Sequence, residues 1–184
     1  SPSYSELYIE ICDHVKQVLP VDDVRKWLLA LFAWGGLGQR SYGFRGALFV
    51  SGAPGLLKST TLKALLSGTG EIGRVTPSNL YKNASRRERN KEAMDTDKSG
   101  AAFELADELL PGRQADFDWA QFLEKTSGNR MPVGDGKTVR QPMPIYTFNS
   151  KFAPFSPATA DGAVTDKCLV INDSMLGEQI PPGS

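Results

Sequence analysis

Apolar positions recur at helical spacing near the start of the chain and change to short unbroken runs from residue 47 onward. Between residues 4 and 18, Leu7, Ile11, His14, Val15 and Val18 share one helical face, and Pro20 ends that helix. Asp22-Asp23 opens a second helix, with Val24, Trp27, Leu28 and Leu31 along one side, and Gly35-Gly36-Leu37-Gly38 closes it. Residues 1–40 therefore read as a small N-terminal helical element. The run Ala47-Leu48-Phe49-Val50 then begins a different rhythm of strand, glycine-rich loop and helix, with Leu62, Leu65 and Leu66 as the buried stripe of that helix and Gly68 to Gly73 as its stop.

Asn83 to Ser99 is dense in charge and reads as an exposed helix or mobile segment, most of its charges forming a solvated face. Ala101 to Ala106 is a short strand ending at Asp107-Glu108, and Phe117, Trp119, Phe122 and Leu123 follow at helical spacing. Arg130 to Arg140 alternates around Gly134-Asp135-Gly136, a hairpin turn signal. Pro144 to Phe148 is an apolar strand delivering Asn149, and Cys168 to Ile171 is a last strand. Strands alternating with helices predict an α/β core over residues 41–176 with a largely parallel central sheet flanked by helices. Residues 177–184 read as a flexible tail.

Composition narrows the possibilities mainly by exclusion. The 21 basic and 21 acidic side chains cancel, so only local clusters can recruit nucleic acid or a membrane surface. No apolar stretch has the length of a transmembrane helix, which predicts no membrane partner. Cys12 and Cys168 lie far apart without metal-ligand spacing; a reduced intracellular protein fits them best, with one disulfide left open and host cytoplasm or nucleus undecided. The start Ser1-Pro2-Ser3 lacks a methionine and reads as an excised fragment or processed product. His14 is the only histidine, which leaves little material for Ser-His or Cys-His catalysis.

The chemistry concentrates in Gly52-Ala53-Pro54-Gly55-Leu56-Leu57-Lys58-Ser59-Thr60. A phosphate-binding P-loop needs a glycine, four residues, a second glycine, then lysine and Ser or Thr. Its backbone N–H groups converge on phosphate at the positive end of a helix, the lysine neutralises the β and γ phosphates, and the hydroxyl joins Mg²⁺. Gly52, Lys58 and Ser59 fit, with Thr60 as the neighbouring hydroxyl, whereas Leu57 replaces the second glycine. If that position requires φ > 0, leucine costs about 1–2 kcal/mol there. The pattern names nucleoside triphosphates with Mg²⁺ as the ligand class, against the plainer reading of a Gly-Pro turn with a surface lysine. P-loop chemistry next needs carboxylates at a strand end, one for the metal's water shell and one to orient or deprotonate the attacking water, and Asp107 and Glu108 are the candidates. Glu104, inside that strand, has to pair or face an edge. Asn149 is placed to sense the γ-phosphate, its plainer reading being a turn cap.

This order of P-loop, Asp-Glu strand, basic hairpin and strand ending in Asn resembles the superfamily 3 helicases of DNA viruses, phages and plasmids, most of all the poxvirus-type and phage primase–helicase branch. Lys125-Thr126-Ser127-Gly128-Asn129 resembles the stretch before that family's hairpin, with Asn for its Asp, and Tyr146-Thr147-Phe148-Asn149 resembles its sensor strand. The resemblance runs from about Asp23 to Ile171. It implies a P-loop NTPase of AAA+-like fold, an ATPase moving along single-stranded DNA as a ring, expected to be hexameric in the full-length protein. Arg130, Lys137 and Arg140 would contact DNA. Lys167 stands in the slot of the arginine that reaches a neighbouring subunit's ATP. With Leu57 and Lys167 departing from the family pattern, two alternatives stay open: a degenerate, non-hydrolysing module for assembly or DNA binding, and a different ring-forming P-loop ATPase such as a loader.

Overall fold

The computed structural model describes residues 1–18, 20–22, 25–26, 28–30, 46–52, 58–68, 70–149, 162–165 and 167–171. Five strands form one sheet: β1 (Ala47–Ser51), β2 (Ile72–Arg74), β3 (Phe103–Ala106), β6 (Met143–Phe148) and β7 (Cys168–Ile171), in the order β2-β3-β6-β1-β7. Every pairing within it is parallel. Parallel neighbours need crossovers, which here carry α2 (Lys58–Ser67), α3 (Arg86–Ser99), α4 (Trp119–Lys125) and α5 (Gly162–Thr165). The result is an α/β fold with a parallel central sheet flanked by helices, as the strand–helix rhythm predicts. The N-terminal α1 (Tyr4–Val18) precedes it.

Both faces of the sheet are covered, which is why its strands read as unbroken apolar runs rather than alternations. Leu48 and Val50 face a core shared with Leu62 and Leu66 of α2, Leu105, Ile145 and Ile171. Ala47 and Phe49 face the other core, with Tyr81, Phe117, Phe122, Tyr146, Phe148 and Val164. Aromatic rings dominate this second layer; Phe117 and Trp119 have centroids 4.6 Å apart and Phe49 meets Tyr146 edge-on at 5.5 Å. Trp119 is thus a core residue, as its apolar context implies. Cys168 packs at the edge of this layer, where burial pushes its thiol up to about 12, and both cysteines are free thiols.

Two elements depart from expectation. The stretch from Gly68 to Gly73 is not only a helix stop, because β2 lies at its end as an edge strand. Three residues with a central glycine give no period to read, and that glycine is structural: a Cβ on Gly73 would lie 2.5 Å from Thr96 Cγ2 of α3. In α1 the predicted stripe is only partly covered. Val15 packs against the core, whereas Leu7 and Ile11 stay exposed. His14's side chain, Trp27, Trp34, the glycines closing the second helix, and the tail lie outside the described residues.

The charged segment is a full helix rather than a mobile one. Ser85 caps α3 by accepting from Glu88 N, and Gly100, at φ 80°, ends it in the left-handed conformation glycine tolerates. Arg89 bonds Asp118 at 2.8 Å and also donates to the Tyr81 carbonyl, while Glu92 accepts from Thr76 N at 2.9 Å. Burial would raise the Asp118 carboxyl, but the Gln121 N–H and the Arg89 guanidinium outweigh it and hold the group below its ordinary range. The stability this provides is present above the unfolded carboxylate pKa and is lost as pH falls through the lower folded value.

Glu104 resolves by pairing. It is 3% exposed, its Oε1 accepts from Lys125 Nζ at 2.5 Å, and the Tyr146 hydroxyl donates to the same oxygen at 3.4 Å. Burial and this carboxylate push the Tyr146 phenol well above its ordinary range, so it stays a neutral donor. Lys125→Met would strand a buried carboxylate and should cost about 3–5 kcal/mol in urea unfolding, whereas Glu104→Met/Lys125→Met together should recover most of that loss.

Candidate functional site

In a parallel sheet all strands end at one edge, and the crevice there is where open α/β sheets bind ligands. Three of the predicted positions gather at this edge. Gly52 follows β1, Asp107-Glu108 follow β3, and Asn149 follows β6, which lies between the other two strands.

The last residues of β6 fasten both neighbouring loops. Gly52 N donates to the Phe148 carbonyl at 3.2 Å, on the β1 side. On the β3 side, Leu109 N donates to the Thr147 carbonyl at 2.8 Å and Glu108 N to Thr147 Oγ1 at 2.9 Å. The same hydroxyl donates to Asp107 Oδ1 at 3.2 Å. Thr147 is fully buried, so its own side of each bond is shielded from competing water. No helix starts at Leu109-Leu110, and Leu109 is a buried core residue.

Glu108 has φ 62°, one of two non-glycine residues with positive φ among those described. An L-residue held there is strained by about 1–2 kcal/mol. The bonds to Thr147 hold the turn in place, and the conformation leaves the Glu108 side chain exposed beside the half-buried Asp107. Such strain at a strand end fits a carboxylate placed for function.

Of the loop itself, Gly52 and the helical backbone of Lys58, Ser59 and Thr60 are described; α2 starts at Lys58, so the positive end of a helix lies at this edge. Thr60 is exposed. Ala53, Pro54, Gly55, Leu56 and Leu57, and the side chains of Lys58 and Ser59, lie outside the described residues. Asn149 is half-buried.

Lys167 stands apart from this cluster. It precedes β7, its carbonyl accepts from Ala47 N at 2.8 Å, and Ala47 pairs with Cys168. It therefore lies at the opposite end of the sheet, roughly 16 Å from Gly52 by strand rise. At that distance it does not reach the strand ends that carry Gly52, Asp107 and Asn149 in its own chain.

The hairpin forms as the turn residues predict, from β4 (Met131–Gly134) and β5 (Lys137–Val139), with positive φ at Gly134, Asp135 and Gly136. Met131, Val133 and Val139 pack with Ala93 of α3, and Asn90 Nδ2 donates to the Val133 carbonyl at 3.0 Å, so α3 is the hairpin's platform. Lys137 and Arg140 are exposed. Arg130 is also exposed but is spent on the hairpin, its Nε and Nη2 bonding Thr138 Oγ1 and carbonyl at 2.9 and 2.8 Å. Lys125 and Thr126 of the preceding motif point inward, to Glu104 and to the Phe122 carbonyl.

Sequence reasoning missed Thr147 and Lys63. Thr147 is a hydroxyl inside an apolar strand two positions before Asn149, a signal that existed. Lys63 Nζ pairs with Asp107 Oδ2 at 2.9 Å, and nothing in its spacing from Lys58 marks it. The oxygen donors at this edge suit a hard cation such as Mg²⁺. Among the described residues no group of three or more His, Cys, Asp or Glu side chains could hold a metal, so an ion on Asp107 would complete its shell with water or with nucleotide phosphates.

No protein-family model and no curated protein matches the chain. Among solved structures, the X-ray structure of JCV helicase aligns over 81% of this chain and 40% of that chain, at 13% identity and a TM-score of 0.49. This chain thus spans less than half of that one, and the match assigns no residue a role. No helix among the described residues is long and apolar enough to cross a membrane.

Thr147→Val should leave the Glu108 N–H and Asp107 Oδ1 without their side-chain partner and lower stability by about 1–3 kcal/mol. Thr147→Ser should restore most of it. Urea unfolding of the pair, with amide exchange at Glu108, checks this.

Proposed function

We propose that the chain is the ATPase domain of a superfamily 3-type DNA helicase or translocase, from a viral, phage or mobile-element replication protein, acting as a ring on single-stranded DNA. One observation supports this above the rest: β1, β3 and β6 end side by side and carry Gly52, Asp107-Glu108 and Asn149, tied together through Thr147 and Phe148. In this reading residues 52–60 and the start of α2 receive the phosphates, with Lys58 against the β and γ groups. Ser59 and Asp107 hold Mg²⁺, which when bound neutralises phosphate charge in the transition state. Glu108 orients the attacking water, and the Asn149 amide contacts the γ-phosphate. Lys167 serves a neighbouring subunit, and its single ammonium lacks the bidentate fork of an arginine.

Calorimetry with Mg-ATP tests the site directly. Lys58→Ala should weaken binding at least about tenfold, a loss of about 1.4 kcal/mol; unchanged affinity removes the loop from the site. In this reading the groups that bind the nucleotide belong to one chain, so the test does not need a formed ring.

On the DNA side, Lys137 and Arg140 remain exposed at the hairpin, whereas Arg130 is held by Thr138. Replacing Lys137 and Arg140 by alanine should reduce the slope of log affinity against log salt for single-stranded DNA by about 0.7 for each phosphate no longer neutralised. Equal slopes would take the hairpin out of the DNA path.

A further inference from the structure

The reading above leaves Lys63 without a role, although it touches the carboxylate assigned to the metal. Both oxygens of Asp107 are engaged: Oδ2 accepts from Lys63 Nζ at 2.9 Å and Oδ1 from Thr147 Oγ1 at 3.2 Å. The Thr147 bond is compatible with a cation, because a hydroxyl donor beside a metal-bound carboxylate orients it. The Lys63 bond is not, because an ammonium at 2.9 Å would stand against a divalent ion on the same oxygen. Lys63 rides on α2, five residues after the lysine assigned to phosphate, so the helix that receives the nucleotide also carries the competing charge.

We propose that Lys63 is a built-in counter-ion that holds Asp107 until a divalent cation displaces it, so that Lys63 sets the cation concentration at which the site fills. This deepens the reading of Asp107 as the metal carboxylate and rests on that reading. Displacement is cheap on the lysine side. The pair is half-exposed, with side-chain exposures of 40% and 37%, and such pairs are weak. A cavity of about 190 Å³, lined by Lys63, Arg74, Thr76 and Asp107 among others, lies beside the pair and gives the ammonium room to withdraw. Arg74 in the same cavity adds a second positive charge near the withdrawn lysine, which favours its return once the cation leaves.

Mn²⁺ alone, titrated into the protein and followed by electron paramagnetic resonance, tests this without nucleotide or turnover. Lys63→Met should tighten Mn²⁺ binding by about five-fold, the scale on which exposed charge pairs act. Lys63→Arg, which keeps the charge, should stay near wild type, and adding Asp107→Asn to Lys63→Met should abolish the tightened site. Equal affinity in wild type and Lys63→Met overturns the proposal, as does tightening by Lys63→Arg or a site that survives Asp107→Asn. Mn²⁺ bound by none of the proteins overturns it too, because Asp107 then holds no cation. The ATP reading fails separately, by nucleotide binding that ignores Lys58 while the Mn²⁺ pattern holds.

Discussion

The carboxyl end of β6 is the constraint on which the rest of this edge depends. It is the strand between β1 and β3, so the loops leaving those two strands flank it on either side. Phe148 fixes the first glycine of one loop through its carbonyl, and Thr147 fixes the acidic turn of the other through both carbonyl and hydroxyl. Two adjacent residues of one strand thereby set where the start of the glycine-rich loop and a carboxylate pair stand relative to each other. The strained backbone of Glu108 is tolerated because that bonding, together with the burial of Leu109, over-determines the turn.

Much of this architecture was legible in the chain because its signals are local. Strands buried on both faces are unbroken apolar runs, and the polar residue that ends each run marks the sheet edge; Asp107 and Asn149 were visible for that reason. Gly134-Asp135-Gly136 demands positive φ, and the hairpin follows. What escaped depends on distance along the sequence. Glu104 finds Lys125 twenty-one positions on, and Thr147 finds Glu108 thirty-nine positions back. β2 escaped because its central residue answers to Thr96 on a later helix rather than to any pattern of its own. The stripe on α1 was visible, yet periodicity cannot say how far along a helix its cover extends.

The two ends of the sheet divide the assigned residues. One edge gathers the groups that would meet phosphate and cation. The other places Lys167 against the start of β1, joined to the core of its own chain through backbone. In the proposed reading a residue so placed meets nucleotide only in a second copy, whereas Lys63, Thr147 and Asp107 interact within one chain. Binding and turnover would then depend on different levels of organisation, the first on a folded monomer and the second on its neighbours.

The buried trio of Glu104, Lys125 and Tyr146 also bears on how this domain can drift over generations. Losing Lys125 alone leaves a buried carboxylate without its counter-ion, and losing Glu104 alone leaves a buried ammonium and a phenol without their shared acceptor. Either intermediate is poorly tolerated, while a lineage that has exchanged both for hydrocarbon keeps a sound core. Descendants of this fold should therefore carry the acid and the lysine together or lack them together, a pairing that separates kin from chance likeness when the remaining sequence has diverged too far to compare.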